Sequence, residues 1–391
     1  NDVVGAHTRH GARWTEGLPP ATEEMAYVRA SLGSGLICIG KSATPEKGYL
    51  PTTEPLAFGP TRNPWDTTRS SGGSSGGAAA AVAAGVVPMA HANDGGGSIR
   101  FPAANCGLFG LKPSRGRLID DNPGARPLDI AVQGCVSRTV RDTAGLLAVT
   151  EATGGAAVFP PVGMISTPTD RPLRIGLVTT GFIGNPASSE VMRAVNDTVA
   201  LLESLGHALE ETAWPTSATF SDDFLAFWSL GAAYDVAEGA KHLGRAPDET
   251  MFEPFSLRMA ENAAALSPSD IEQIQARLLA DEAAYNEWIA GYDVVLSPVF
   301  TSPPAELGYL RGDVEFDELI ERLRAEVAYT LIHNVAGTPA MSVPLAWSAD
   351  GLPIGMQFCA GGGEERRLLE LAYQLEAAQP WINRRPPVWA G

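Results

Sequence analysis

Two glycine-rich patches carry serines placed for chemistry. One reads Ser70-Ser71-Gly72-Gly73-Ser74-Ser75-Gly76-Gly77, the other Asn93-Asp94-Gly95-Gly96-Gly97-Ser98-Ile99-Arg100. Glycine lets the main chain approach a ligand closely and adopt positive φ. A hydroxyl held in such a turn can serve as a nucleophile, and the amides beside it can point at a developing oxyanion. A flexible Gly/Ser linker is the bland alternative. It fits poorly, because an alanine run, Ala78 to Ala84, separates the patches and ends at Gly85.

Two other motifs compete for attention. Gly35 to Ser42 satisfies the phosphate-loop pattern. A phosphate cradle needs a strand before its first glycine and a helix after its lysine. Here Leu36-Ile37-Cys38-Ile39 reads as the strand itself, short and buried, and Pro45 discourages a helix. Gly72-Gly73-Ser74-Ser75-Gly76 also satisfies the nucleophile-elbow pattern. The elbow follows an apolar strand, whereas Asp66 to Ser71 is polar. His333 as base to a serine is the runner-up mechanism.

The wider pattern resembles the amidase signature family. The resemblance rests on Gly-Gly-Ser-Ser-Gly-Gly, on Gly-Gly-Ser-Ile-Arg with Pro102, and on Cys106-Gly107 and Gly110-Leu111-Lys112-Pro113. It continues through Arg138-Thr139-Val140, Asn334 with Gly337-Thr338-Pro339-Ala340, and Gly351-Leu352-Pro353-Ile354-Gly355 with Gln357. Thr44-Pro45-Glu46 and Thr52-Thr53-Glu54-Pro55 look most like the nylon-oligomer (aminohexanoate cyclic dimer) hydrolases within it. The resemblance implies an α/β fold with a mixed central sheet covered by helices on both faces. It implies hydrolysis of a linear or cyclic carboxamide, with no cofactor and no metal. By position Ser98 is the nucleophile and Ser74 the bridging serine, whose preceding peptide bond is cis in the family. The amides of Gly95, Gly96 and Gly97, with Ser98, would form the oxyanion hole. Ser75 supports the turn, and Asp94 and Arg100 bracket it as structural charges. The family's base is a lysine in an upstream Val-Lys-Asp-like strand. Asn1-Asp2-Val3-Val4-Gly5 resembles the residues just after that strand, and Lys41, Lys47 and Lys112 match other positions. The resemblance therefore implies a lysine upstream of Asn1, and a 391-residue chain without its own base.

The elements that must position these groups follow from periodicity. Residues 22–32 read as a helix, and residues 42–72, with several prolines, as an irregular wrap. Ala78 to Ala84 reads as a fully buried helix. Thr139 caps a helix, residues 173–178 a strand, Ser188 another helix, and residues 207–210 a strand, an order that predicts parallel pairing. Residues 221–290 are mainly helical with caps at Ser221 and Ser269; strands at 292–297, 341–344 and 354–358 and a final helix at 364–378 complete the chain. Residues 1–154 form the signature core. Residues 155–391 complete the same α/β domain, with a variable pocket segment at about 215–330. Tyr49 and Trp228 are the substrate-contact candidates, with Phe224, Tyr234 and Phe255 as further wall residues.

Composition narrows the partners. A net charge of −17 with few lysines argues against nucleic acid and anionic membranes. The longest apolar run, residues 78–92, is too short to span a bilayer, and no signal-peptide core is present. The four cysteines show no metal spacing and read as buried free thiols. The expected setting is cytoplasmic, with a small-molecule amide as partner and a homodimer left open. Two competing classes are the transamidase subunit of an amidotransferase and a catalytically inactive binding or remnant protein.

Overall fold

The computed structural model describes residues 1–119 and 128–390. Its centre is one eight-stranded sheet in the order β3-β5-β4-β9-β10-β8-β6-β7. These strands are β3 (Met89–Asp94), β4 (Phe109–Lys112), β5 (Val132–Ser137), β6 (Arg174–Leu177), β7 (Ala208–Glu211), β8 (Val294–Pro298), β9 (Ala340–Trp347) and β10 (Pro353–Cys359). A separate hairpin pairs β1 (Arg62–Asn63) with β2 (Asp66–Ser70). β6 runs parallel to β7 and β8, and every other pairing is antiparallel. The sheet is therefore mixed, and its strands come from both halves of the chain.

The helices are α1 (Ala26–Gly33), α2 (Gly76–Ala83), α3 (Arg100–Cys106), α4 (Val140–Thr150), α5 (Ser189–Ser204), α6 (Phe220–Leu243), α7 (Pro254–Ala264), α8 (Pro268–Ile289), α9 (Phe316–Glu326), α10 (Leu331–Val335) and α11 (Glu365–Ala378). The period-two alternation of strand side chains divides them between two faces. Phe109, Leu111, Met341, Val343, Met356 and Phe358 point to one face and pack with α4, α5 and α11 in the largest core. The opposite face meets α2 and α3 at one end, and α8 and α10 at the other.

Beneath α3 the sheet presents glycine. A β-carbon at Gly110 would lie 2.8 Å from Ala103 Cβ, one at Gly134 2.7 Å from Ile99 Cδ1, and one at Gly355 2.7 Å from Ala104 Cβ. Three neighbouring regions of the sheet thus omit a side chain where the helix sits down. Close helix–sheet seating is what glycine permits and any larger residue forbids.

Several expectations are corrected. Residues 35–40 form no strand, and Leu36, Ile37 and Ile39 are exposed, Ile37 by 86 %. Apolar periodicity reports a preference for burial but cannot supply a pairing partner, and β3, not this segment, is the outermost strand on that side. Cys38 is exposed with it, while Cys106, Cys135 and Cys359 are buried free thiols. No helix follows Lys41 before the short turn at Glu46–Gly48. The wrap at 42–72 contains the β1–β2 hairpin, so a strand does precede Gly72-Gly73-Ser74, but it is polar and lies outside the central sheet. α2 is buried on one face and half-buried on the other. The caps fall two residues early: Thr219 precedes α6, and Ser267 heads α8 in a capping box with Asp270. Among the described residues no helix is long and apolar enough to cross a membrane, and no cluster of metal-ligating side chains occurs.

Candidate active site

The two glycine–serine patches meet at the end of β3. Asp94 closes that strand, residues 95–98 turn, and α3 begins at Arg100. The first patch lies between β2 and α2 and packs onto α3: a β-carbon at Gly72 would lie 2.8 Å from Pro102 Cα. Ser75 ties it to β3, its hydroxyl accepting from Asn93 N at 3.2 Å and lying 3.3 Å from Asn93 O. Thr53 braces the same turn, donating to Gly72 O at 2.9 Å and accepting from Gly76 N at 3.1 Å. The Gly73–Ser74 peptide bond is cis. Ser74 and Ser98 are both buried. Gly48 is their common neighbour: it lines the cavity into which Ser98 opens, and a β-carbon there would lie 3.2 Å from Ser74 Oγ.

A buried ion pair shapes the Ser98 turn. The Asp94 carboxylate accepts from Gly97 N at 2.7 Å and Ile99 N at 3.1 Å, and takes the Arg100 guanidinium at 3.0 and 2.9 Å. Arg100 also donates to Thr330 O, Gln357 Oε1 and Asn334 Oδ1, while Asn334 Nδ2 returns to Asp94 Oδ1 and the Asp94 and Ile130 carbonyls. Thr330 Oγ1 donates to Gly96 O at 2.5 Å. Every donor of the buried guanidinium fork thus has a use, which a charge out of water requires. Burial alone would raise the Asp94 carboxyl, but the Arg100 charge and its hydrogen bonds, with Lys112, hold it well below the usual carboxylate range.

This pair corrects the expected oxyanion hole. The Gly97 N–H is turned back onto Asp94 and cannot face a substrate. Among the described residues the amides of Gly95, Gly96 and Ser98 donate to no protein acceptor. Gly97 still has to be glycine: its φ is +139°, and a β-carbon would lie 2.3 Å from Phe101 Cε2.

Over the glycines stands an apolar wall. A β-carbon at Gly95 would meet Trp228 at 3.2 Å, and one at Gly96 would meet Leu331 at 3.3 Å and Phe224 at 3.4 Å. The cavity beside Ser98 has a volume of about 100 Å³. Phe224, Leu225 and Trp228 of α6 form one side, and Ile320, Leu323 and Arg324 of α9 with Val327 form the other. Tyr49 and Phe255 also line it, and Tyr49 meets Trp228 edge-on at 5.9 Å. Tyr234 does not reach the cavity and is 68 % exposed on another side of α6. The α9 wall lies within the pocket segment expected at 215–330, but its residues were not named; their apolar spacing at 320, 323 and 327 was the available signal.

No lysine among the described residues attends the serines. Lys41 donates to Thr8, Lys47 pairs with Asp235, Lys112 donates to Pro113 O and Lys241 pairs with Glu238. Lys112 is fully buried, and burial followed by the Arg100 charge pushes its amine down to about 7. His333 is no partner of Ser98 either. It is fully buried, bonds Tyr285 through Nδ1 at 2.9 Å, and packs edge-on to Trp214. Burial, then Arg100 and Lys112, keep its imidazole well below the usual range.

Fold and site define an enzyme of the amidase-signature type, and sequence comparison agrees. The family model described as Amidase matches residues 1–369. The chain belongs to this family and is a hydrolase acting on amides. It is 40 % identical to the amidase-named AmiC of Mycobacterium tuberculosis (strain ATCC 25618 / H37Rv), over 99 % of this chain and 81 % of that protein. It is 36 % identical to the 6-aminohexanoate-cyclic-dimer hydrolase of Pseudomonas sp. (strain NK87), over 94 % of this chain and 78 % of the relative. The solved structure of a 6-aminohexanoate cyclic dimer hydrolase complexed with substrate superposes with a TM-score of 0.90 at 31 % identity, covering all of this chain and 85 % of the other.

Proposed function

We propose that the protein hydrolyses uncharged or amphipathic carboxamides through an acyl-enzyme on Ser98, with Ser74 as proton relay and a lysine upstream of Asn1 as base. One observation carries the substrate reading. Ser98 opens into a cavity whose one charged lining residue among the described residues, Arg324, is already paired with Asp222 at 2.6 Å and Glu321 at 2.8 Å. A carboxylate-bearing acyl group would lose hydration there and find no free cation, whereas an apolar one gains about 25 cal/mol per Å² buried.

In this mechanism Ser98 Oγ attacks the amide carbon, its proton passes to Ser74, and the Ser74 proton passes to the neutral lysine. The carbonyl oxygen takes up the charge opposite the amides of Gly95, Gly96 and Ser98. Collapse expels the amine, which recovers the proton through Ser74, and water then cleaves the acyl ester by the same relay. The proposal is supported by the shared surroundings of the two serines, by the uncommitted amides, and by the substrate-bound relative.

A panel of size-matched neutral, cationic and dicarboxylic amides tests the substrate reading. The neutral members are expected to have the highest kcat/KM, and a preference for dianionic amides would overturn it. The base has its own test. The 391 residues alone are expected to retain only the residual acceleration of an oxyanion hole without its triad. Full turnover from them would assign the base to Lys41, Lys47, Lys112 or a histidine.

A further inference from the structure

We infer that Asp235 is a positioning residue: it clamps the segment that covers Ser74 and ties it to the wall of the acyl pocket. The inference rests on the reading of Ser74 as relay. Asp235 lies on α6, seven residues after Trp228, two helical turns along the same side. Its oxygens take separate partners. Oδ1 pairs with Lys47 Nζ at 2.8 Å, and Oδ2 accepts from the Tyr49 hydroxyl. Between those partners sits Gly48, whose missing side chain leaves room for the Ser74 hydroxyl. One carboxylate therefore grips the residues on either side of the one that lies over the bridging serine.

The backbone shows why a grip is needed. Lys47 has φ +50° and Gly48 φ +81°, two successive left-handed residues. For a non-glycine residue this conformation is unfavourable and persists where the surroundings hold it. Lys47 is held at its amide, which donates to His10 O at 2.7 Å, and at its ammonium by Asp235. Both side chains of the ion pair are only 18 % exposed, so solvent screens it less than a surface pair. Upstream, Glu46 accepts from Glu253 N at 2.9 Å and anchors the start of the turn. Downstream, Tyr49 presents its ring to Trp228 and its carbonyl to Trp228 Nε1 at 3.3 Å. Burial, then the Asp235 charge, raise the Tyr49 phenol far above its usual range, so it remains a donor to the carboxylate. The clamp thus joins the pocket helix α6 to the relay.

A double-mutant cycle in the full native protein tests this, reading the rate at which an alkyl fluorophosphonate modifies Ser98 and the kcat and KM for a neutral anilide. Asp235→Ala is expected to lower both the modification rate and kcat about tenfold or more, with KM changed less than about threefold. Asp235→Asn, which keeps an acceptor for Tyr49, should fall between. Lys47→Met, which spares the tyrosine bond, should lower the rates in the same direction. In the Ser74→Ala background, Asp235→Ala should cost nothing further, because the two act through one hydroxyl. Wild-type rates in both Asp235→Ala and Lys47→Met, or additive losses in the Ser74→Ala background, would overturn the clamp alone. Near-normal rates in Ser74→Ala itself would overturn the relay reading, and the clamp's catalytic role with it.

Discussion

Ser98→Ala is expected to lower turnover of any amide substrate by about 10⁴-fold or more while leaving the fold intact. Loss of a covalent nucleophile removes the acyl-enzyme route and leaves only binding and oxyanion stabilisation, as in other serine hydrolases. The fold should survive because, among the described residues, the Ser98 hydroxyl makes no protein hydrogen bond, and the turn is held from beneath by Asp94. Steady-state turnover, circular dichroism and mass analysis of a trapped acyl-enzyme give the readings. Near-normal turnover, or an acyl group found on Ser74, would defeat the assignment.

Arg100→Met is expected to destabilise the protein by about 3–5 kcal/mol at neutral pH, the usual cost of stranding a buried charge. The variant also loses the bonds to Gln357, Asn334 and Thr330 O, so activity should fall with stability. Acidity separates this account from simple loss of packing. In the wild type Asp94 is more acidic folded than unfolded, so its contribution is present above the unfolded carboxylate pKa, about 4. It fades as the pH drops through the lower folded value. Without Arg100 the desolvation of Asp94 has its main opponent removed and its pKa rises. The folded variant then binds a proton more readily than the unfolded chain, and its contribution is lost as the pH climbs from about 4 towards that raised pKa. The deficit relative to wild type should thus be largest near neutrality and shrink on acidification towards pH 5. A urea-unfolding series across that range would contradict the account if the deficit were below about 1 kcal/mol or independent of pH.

Much of the site was legible because its chemistry is local. Glycine spacing marked both turns, the family resemblance implied the α/β class, and the strand–helix–strand order pointed to the parallel pairing of β6 with β7. What escaped reading depends on contacts distant in sequence or on geometry within a turn. Gly95, Gly96 and Gly97 are equivalent as letters, and only the Asp94 carboxylate reaching back removes Gly97 from the expected oxyanion donors. An aspartate three residues before a glycine was a usable hint of such a local acceptor. The run at residues 36–39 read as buried since hydrophobicity does not say whether a neighbour is available. α3 went unread; its Pro102 sits in the first turn, where proline is tolerated because its absent N–H is not missed. The α8 cap was available in Ser267-Pro268-Ser269-Asp270, a capping box with proline at the first helical position. Asp235 carried no local signal, for its partners lie nearly two hundred residues earlier in the chain.

The glycine floor beneath α3 divides the molecule into a part that can vary and a part that cannot. With Gly110 and Gly355 against Ala103 and Ala104 of the helix, a single added methyl at either would press on α3, which begins two residues after Ser98. The opposite side of the cavity has no such restriction, since Phe224, Leu225, Trp228, Ile320, Leu323 and Val327 are side chains from two helices whose bulk can be traded residue by residue. Larger substrate groups can therefore be admitted by trimming α6 or α9, while Ser98 stays where the sheet has put it. The scaffold separates the inheritance of its chemistry from the drift of its specificity, and the boundary between them runs through the 100 Å³ in front of Ser98.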